Sequence, residues 1–562
     1  MATRTAARLI VDSLRAHGVD LAYCVPGESY LAVTDALIEA PDIRLIVCRH
    51  EGGAGFMTVA DAKITGKPGV CFVSRGPGAT NVSIAIHTAK QDATATVFFV
   101  GQAERPDLGR GALQEVDYSK TFSDMAKLVI DVRDASLVSE AVARAFHVAE
   151  SGTPGPVVVV LPEDMLGDET NAPVCPPRPM PRSAPTKADV EKVAEMLAAA
   201  EKPLVIVGGT YRGDPLAEKL VAFAEALELP ITTVNRRPHL YPNDHKNYAG
   251  CLGIRVPAPL IGAMREADLI LTLGARMTDS MSQGYTFPRA PIPDQPLIHV
   301  YPDPEEIGRV WHPTAAVACE PLELVEALLE RRDLAMPKKA GRGDWISRLV
   351  SIERGLKEYE HRSSNDGVVF GAVVHEIGKH LKRNAVVTTD AGNFGTWAHR
   401  YLGFFPEGEF IGALSGAMGG GVPFVVAAGM RDPNRQLIGF VGDGGFLMTG
   451  NELATALQYG VPVKIFVSNN GSYGTIRMHQ ELRFPGRETS TALRNPNFAK
   501  MGEAFGALGL RIENDADVAP MVKQAMEHDG PVLVEVMTSL AYMTAWKTLD
   551  DLANDAAARK AK

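Results

Sequence analysis

Cysteine is scarce in this chain and carries no pattern. Cys24, Cys48, Cys71, Cys175, Cys251 and Cys319 are scattered through 562 residues without a C-x-x-C pair. That argues against a disulfide scaffold or a zinc framework and suits reduced thiols in a cytoplasmic protein. No apolar stretch reaches the ~18 residues that cross a bilayer. The opening "MATRTAARLIVDSLRAHGVD" lacks the continuous apolar core of a signal peptide. No basic excess is present either: 57 Lys and Arg face 67 Asp and Glu, a formal net charge of -10. A basic stripe for phosphate backbones is therefore missing, which argues against nucleic acid as a partner. No short-period repeat is found. What remains is an ordinary globular composition, 46% hydrophobic and 22% charged, so function has to be sought in a small-molecule site.

Length suggests several domains, and the pattern of apolar runs divides them. Residues 1–170 alternate helical stretches such as "ARLIVDSLRAHG" with short, nearly all-apolar runs: "LAYCV", "GVCFVS", "TVFFVG" and "GPVVVVLP". Such runs suit parallel strands covered on both faces. Residues 171–188 are proline-dense and read as a linker. Residues 189–335 repeat the α/β pattern as a central domain, and 336–365 read as a second linker. Residues 366–545 form a third α/β unit with "NAVVTTD", "RQLIGFVGD", "VPVKIFVSNN" and "PVLVEVM". Residues 546–562 read as a polar, frayed tail. The fold class expected is α/β: three doubly wound domains with mainly parallel sheets.

The most informative stretch is "GDGGFLMTGNELATALQYGVPVKIFVSNNGSYG", Gly442–Gly474. An apolar strand ends at Asp443, a helix follows and stops at Gly460, and the next strand ends in Asn469-Asn470. A right-handed crossover puts both strand ends on the same side of one sheet, where ligands of open α/β sheets bind. Asp443 and Asn470 can therefore face one point. One carboxylate and one amide oxygen suit a hard cation such as Mg²⁺, which completes its shell with water and phosphate oxygens. Gly442, Gly444 and Gly445 let backbone N–H groups approach a phosphate beside a helix N-terminus. A diphosphate held through Mg²⁺ fits.

This Gly-Asp-Gly to Asn-Asn spacing resembles that of thiamine diphosphate (ThDP) enzymes, and the resemblance covers nearly the whole chain. It implies a pyrimidine-binding, a central and a diphosphate-binding domain, in that order. By resemblance, Asp443, the Asn470 side chain and the Ser472 carbonyl hold Mg²⁺, with Tyr473 beside them. "IRLIVCRHEGGAGFMTVADAKITGKPGVCFVSRGPGATN" supplies Glu51, matching the glutamate that hydrogen-bonds the aminopyrimidine ring and activates the cofactor; the cofactor carries the carbon chemistry. Met418 in "IGALSGAMGGGVPF" matches the apolar residue that supports the bent cofactor. Gly392, Asn393 and Phe394 in "TTDAGNFGTW" are expected near the diphosphate.

"RGALQEVDYSKTF" is most similar to the acetolactate synthase catalytic subunits, within a branch that includes pyruvate oxidase and benzaldehyde lyase. It points to Gln114 in the reaction pocket. The departures are Leu113, where those synthases carry Phe, and His479, where they carry Trp. Ser29-Tyr30 replaces a Gly-Ala-type turn, so Ser29 and Tyr30 are candidate substrate contacts, together with Ile476. No adjacent His-His pair marks a decarboxylase. Arg276 matches an arginine that meets FAD in the synthases, but "CLGIRVPAPLIGAM" departs from their flavin-contacting pattern and no G-x-G-x-x-G is present. FAD is thus an alternative that the departures disfavour.

The reaction implied is decarboxylation of a 2-oxo acid with transfer of the activated aldehyde to a second carbonyl. The alternatives are a simple 2-oxo acid decarboxylase, a lyase of 2-hydroxy ketones or acyl-CoA, and a non-catalytic ThDP-binding regulator. The family architecture implies a homodimer or homotetramer with the cofactor between chains. A regulatory subunit is neither implied nor excluded.

Overall fold

The computed structural model describes residues 3–209, 216–253, 256–331 and 341–560. The start of the expected second linker, 336–340, lies outside the described residues.

Three six-stranded sheets, each fully parallel, form the centres of three α/β domains. The first contains β1 (Leu21–Cys24), β2 (Arg44–Val47), β3 (Gly69–Val73), β4 (Thr96–Gln102), β5 (Leu128–Asp131) and β6 (Pro156–Pro162), in the order β2-β1-β3-β4-β6-β5. The central sheet contains β7 (Pro203–Val207), β8 (Ile231–Val234), β9 (Tyr248–Leu252), β10 (Leu269–Leu273), β11 (Leu297–Val300) and β12 (Ala315–Val317), in the order β9-β8-β7-β10-β11-β12. The third contains β13 (Val386–Thr389), β14 (Glu409–Ile411), β15 (Leu437–Gly442), β16 (Lys464–Asn469), β17 (Leu508–Ile512) and β18 (Val532–Met537), in the order β14-β13-β15-β16-β18-β17. First and third sheets thus share one strand order. Every residue of β4 and β6 is buried, which explains their uninterrupted apolar runs: helices cover both faces of a parallel sheet.

The first and third domains share a core. The helix Glu51–Thr65 packs on the helix Gly421–Arg431, with the Phe56 and Phe424 rings edge-on at 5.6 Å. Two polar clamps flank this seam. Lys63 pairs with Asp92 in full burial, and Arg431 reaches both Asp61 and Asp20. Glu452, itself fully buried, accepts hydrogen bonds from the Arg49 and His50 N–H groups at 3.0 Å. It thereby fixes the start of the helix that carries Glu51.

Two expectations are corrected. The described part of the second linker, 341–365, is no simple linker: Arg342–Lys357 is a helix that buries Trp345, Ile346, Leu349 and Val350. Those residues recur at helical spacing and pack on the central domain, where Trp345 Nε1 donates to the Pro203 carbonyl at 2.9 Å. Residues 546–560 are no frayed tail either, and 561–562 lie outside the described residues. Leu549–Lys560 is a helix whose Leu552 packs with Met478 and Met543. Its start is tied by the reciprocal Thr548 and Asp551 bonds, at 2.8 and 3.1 Å, a capping box. The proline-rich stretch before Lys187 carries no regular element after Thr170.

Candidate active site

β15 and β16 are adjacent and parallel, so Asp443 and Asn470 emerge from the same edge of the third sheet. They line one cavity of about 500 Å³. Asp443 is 4% exposed; its Oδ1 accepts the Gly444 N–H at 2.9 Å and its Oδ2 the Asn495 Nδ2 at 2.8 Å. Burial holds its pKa above the ordinary carboxylate value, against those hydrogen bonds. Asn470 Oδ1 accepts the Ser472 N–H at 3.0 Å. Ser472 is buried and its hydroxyl has no partner among the described residues.

Glycine at two positions lets neighbouring side chains pack closely on the backbone beside the cavity. A Cβ on Gly444 would sit 2.6 Å from the Tyr473 ring and 3.4 Å from Met418 Cε, and one on Gly445 would sit 2.2 Å from Asp390 Oδ2. The helix Asp443–Thr449 starts here and directs N–H groups into the cavity. The donor set fits a hard cation: one carboxylate, one amide oxygen and a main-chain carbonyl. Among the described residues no group of three His, Cys, Asp or Glu could hold a metal. A cation here would rest on these oxygens and on those a diphosphate and water bring.

The same cavity is lined by Gly392, Asn393, Phe394 and Met418, and by Gly442, Gly444, Gly445 and Tyr473. Asn393 is pinned at its N–H by Thr475 Oγ1, 3.2 Å away. Ile476 and His479 are exposed on the helix Gly474–Arg483, which walls the opening.

Glu51, Leu113 and Gln114 do not line this cavity. They gather at the carboxyl edge of the first sheet. Glu51 Oε2 accepts from Asn81 Nδ2 at 2.9 Å. A Cβ on Gly78 would lie 3.4 Å from Glu51 Oε1, and one on Gly76 would lie 2.9 Å from Gln114 Cβ, so Glu51 and Gln114 flank one turn, 76–78. Leu113 is 73% exposed, and Gln114 is exposed with a left-handed φ of 62°. Within one chain the Asp443 cavity and the Glu51–Gln114 edge are thus separate groups of residues.

Ser29 and Tyr30 are corrected as substrate contacts. Both are buried. The Ser29 hydroxyl accepts the Arg75 N–H at 3.2 Å, and the Tyr30 hydroxyl donates to the Val25 carbonyl at 2.5 Å while its ring stacks on Phe72. The neighbouring residue, Glu28, takes the exposed place instead, its carboxylate 2.8 Å from Arg75. His50 caps its helix by accepting the Gly52 N–H at 3.0 Å. His399 is half-buried and lines the same cavity; desolvation pushes its pKa down to about 3, so its ring is neutral there.

Three further residues were not singled out from the sequence. Asn495 bridges Asp443 and Asn469 Oδ1, at 2.8 and 2.9 Å; it arrives from a distant loop and has no local signature. Asp390, pushed up to about 6 by burial, accepts the Ala391 and Gly419 N–H groups at 2.8 and 2.9 Å and so fixes the turn beside Met418. Its place at the end of β13 was the available signal. Glu28 had a signal in its position after a strand and a Pro-Gly turn.

Comparison with known proteins divides the chain in the same three parts. Residues 4–121 match the family model described as thiamine pyrophosphate enzyme, N-terminal TPP binding domain; 190–328 match its central domain, and 390–536 its C-terminal TPP binding domain. The acetolactate synthase large subunit of Corynebacterium glutamicum is 30% identical over 545 residues, covering 94% of this chain and 86% of that one. The mitochondrial acetolactate synthase of Schizosaccharomyces pombe is 31% identical over 573 residues, 95% of this chain and 83% of that one. The acetolactate synthase large subunit of Parasynechococcus marenigrum is 32% identical over 551 residues, 95% and 87%. No helix among the described residues is long and apolar enough to cross a membrane.

Proposed function

Since the chain belongs to the thiamine-diphosphate-dependent enzymes of the acetolactate synthase family, we propose that two copies join unlike half-sites around ThDP and Mg²⁺ to form a carboligase of 2-oxo acids. The carrying observation is the split itself: Asp443 and Asn470 share one cavity, and Glu51 and Gln114 share a different edge of the same chain.

Asp443, Asn470 and the Ser472 carbonyl would hold Mg²⁺, and main-chain N–H groups at Gly444 and Gly445 would face the diphosphate. Asn495 and the Gly444 N–H orient the Asp443 carboxylate. Met418 would support the cofactor from below. Bound ThDP supplies a carbon nucleophile that adds to a carbonyl and stabilises the charge left when CO₂ departs. Glu51, from the partner copy, would hold and move the proton at the aminopyrimidine ring. Gln114 donates from its amide toward the substrate carbonyl oxygen, where negative charge develops and stabilisation counts most. Ile476 and His479 shape the acceptor's side of the opening. Exclusion of water between the two half-sites strengthens each of these contacts. No flavin enters this reading, which assigns Arg276 to its bond with the Gln91 carbonyl.

One observation favours a second reading. Glu28 places an exposed carboxyl group, paired with Arg75, next to the turn 76–78 that Glu51 flanks. An acid there suits protonation of the decarboxylated fragment and release of an aldehyde, the chemistry of a 2-oxo acid decarboxylase. Incubation of the holoprotein with ThDP, Mg²⁺ and ¹³C-labelled pyruvate, with products read by NMR, separates the two. A new C–C bond in an acetolactate-type product supports carboligation; acetaldehyde and CO₂ alone refute it in favour of the decarboxylase.

A further inference from the structure

The cavity that carries Asp443 and Asn470 has a second arm. It runs between the third and central domains, walled by Arg236, Cys251, Val256 and Lys357. Asn235 and Arg236 also line a neighbouring cavity of about 250 Å³ at the carboxyl edge of the central sheet. Arg236 thus stands in the partition between two cavities.

Its conformation is unusual, and its guanidinium makes no ion pair among the described residues. The φ of Arg236 is 65°, a left-handed backbone that strains any residue with a Cβ and tends to mark functional positions. The side chain crosses to the third domain: a Cβ on Gly412 would lie 2.9 Å from Arg236 Cδ. Its Nε is buried without a hydrogen-bond partner among the described residues. Asp92 and Asp390 are the carboxylates whose field reaches it, and both are engaged elsewhere. Asp92 pairs with Lys63 and accepts the Leu414 N–H, and Asp390 accepts the Ala391 and Gly419 N–H groups. A partly buried guanidinium whose buried Nε has no acceptor among the described residues leaves room for an anion from outside the chain, and its planar fork matches a carboxylate or a phosphate-like group.

We propose that Arg236 is a specificity-determining residue, whose guanidinium binds an anionic substituent of the substrate in the second arm of the cofactor cavity. The substrate class is then a 2-oxo acid bearing a second negative group, a carboxylate, phosphonate or sulfonate, apart from the one beside the reacting carbonyl. This rests on the reading of the cavity as the ThDP site and narrows it. A substrate with a neutral side chain leaves the guanidinium unmatched, and a site built around a buried donor discriminates strongly against a ligand that lacks the partner.

The test uses Glu51→Gln protein loaded with ThDP and Mg²⁺, which is expected to bind substrate without consuming it. Calorimetric titration compares 2-oxobutanoate with 2-oxoglutarate, 3-phosphonopyruvate and 3-sulfopyruvate. At least one dianionic acid should bind tenfold or more tightly than 2-oxobutanoate. Adding Arg236→Gln should remove that preference while changing 2-oxobutanoate affinity less than about threefold, and Arg236→Lys should restore part of it. Failure to bind ThDP would refute the cofactor reading and this inference together. ThDP binding with equal affinities for all four acids would refute the inference alone.

Discussion

Replacing Glu452 tests how the protein fixes the segment that carries Glu51. Glu452 is fully buried. Its Oε1 accepts both the Arg49 and the His50 N–H, each at 3.0 Å, and its Oε2 accepts the Thr455 hydroxyl at 2.6 Å. Glu452→Ala leaves two main-chain donors unmet in a buried seam, at about 1–3 kcal/mol each, so a loss of about 4 kcal/mol is expected. Glu452→Gln keeps Oε1 for both donors and turns its amide toward Thr455, so it should stay within about 1 kcal/mol of wild type. Burial raises the Glu452 pKa above its ordinary value. The folded state therefore binds the proton more readily than the unfolded one. That contribution is fully present below the unfolded pKa and is lost as pH rises through the folded pKa. Glu452→Gln carries no such titration, so its stability relative to wild type should improve as pH is raised from 4 toward 7.

The assay is the thermal midpoint of the apoprotein by scanning calorimetry at one scan rate, since a three-domain chain does not unfold in a single two-state step. In a cooperative unit of several hundred residues, about 4 kcal/mol corresponds to a drop of roughly 5–8 °C. Equal midpoints for Ala and wild type would refute the anchoring role. An equal drop for Gln and Ala would show that charge, rather than acceptor geometry, does the holding.

Further substitutions test the site itself. Asp443→Ala should abolish Mg²⁺-dependent ThDP binding by calorimetry, and retained affinity would remove Asp443 from the metal site. Glu51→Gln should bind ThDP within about threefold of wild type yet lose at least a hundredfold in turnover, because the amide keeps a hydrogen-bonding group and loses the acid–base function; unchanged turnover would remove Glu51 from the proton step. Gly444→Ala inserts a Cβ 2.6 Å from the Tyr473 ring, which must then move within the cavity, and should weaken ThDP by tenfold or more; unchanged affinity would remove Tyr473 from the cofactor's surroundings. Ending the chain at Thr548 uncovers Met478, which packs against Leu552. It should loosen the helix that carries Ile476 and His479, seen as faster amide exchange over 474–483 and loss of activity.

The legible parts of the molecule are those written in local periodicity. The parallel strands stood out because burial on both faces makes them continuous apolar runs, as in "PVVVVLP". Asp443 and Asn470 were found because one strand-helix-strand unit fixes their relation. Asn495 was not, because it meets Asp443 only through tertiary folding. Glu28 and Ser29 show a different limit. A turn after a strand puts one side chain outward and the next inward, and sequence alone does not tell which. The helix Leu549–Lys560 was misread because its buried face is as narrow as Leu552 and Ala556, although the Thr548–Asp551 capping box signalled it. The helix Arg342–Lys357 was hidden behind a glycine- and lysine-rich approach, despite the spacing of Trp345, Leu349 and Ile346.

The claim that one active site is built from two chains is tested most directly by complementation. Glu51→Gln and Asp443→Ala proteins, each inactive alone, are co-expressed and assayed for CO₂ release from 2-oxo acids with ThDP and Mg²⁺. In a two-fold symmetric pair, a mixed dimer holds one site with an intact Glu51 and an intact Asp443, so random pairing should restore about a quarter of wild-type activity. No recovery, with mixed dimers verified by mass spectrometry, would contradict the shared site and require each chain to complete its own.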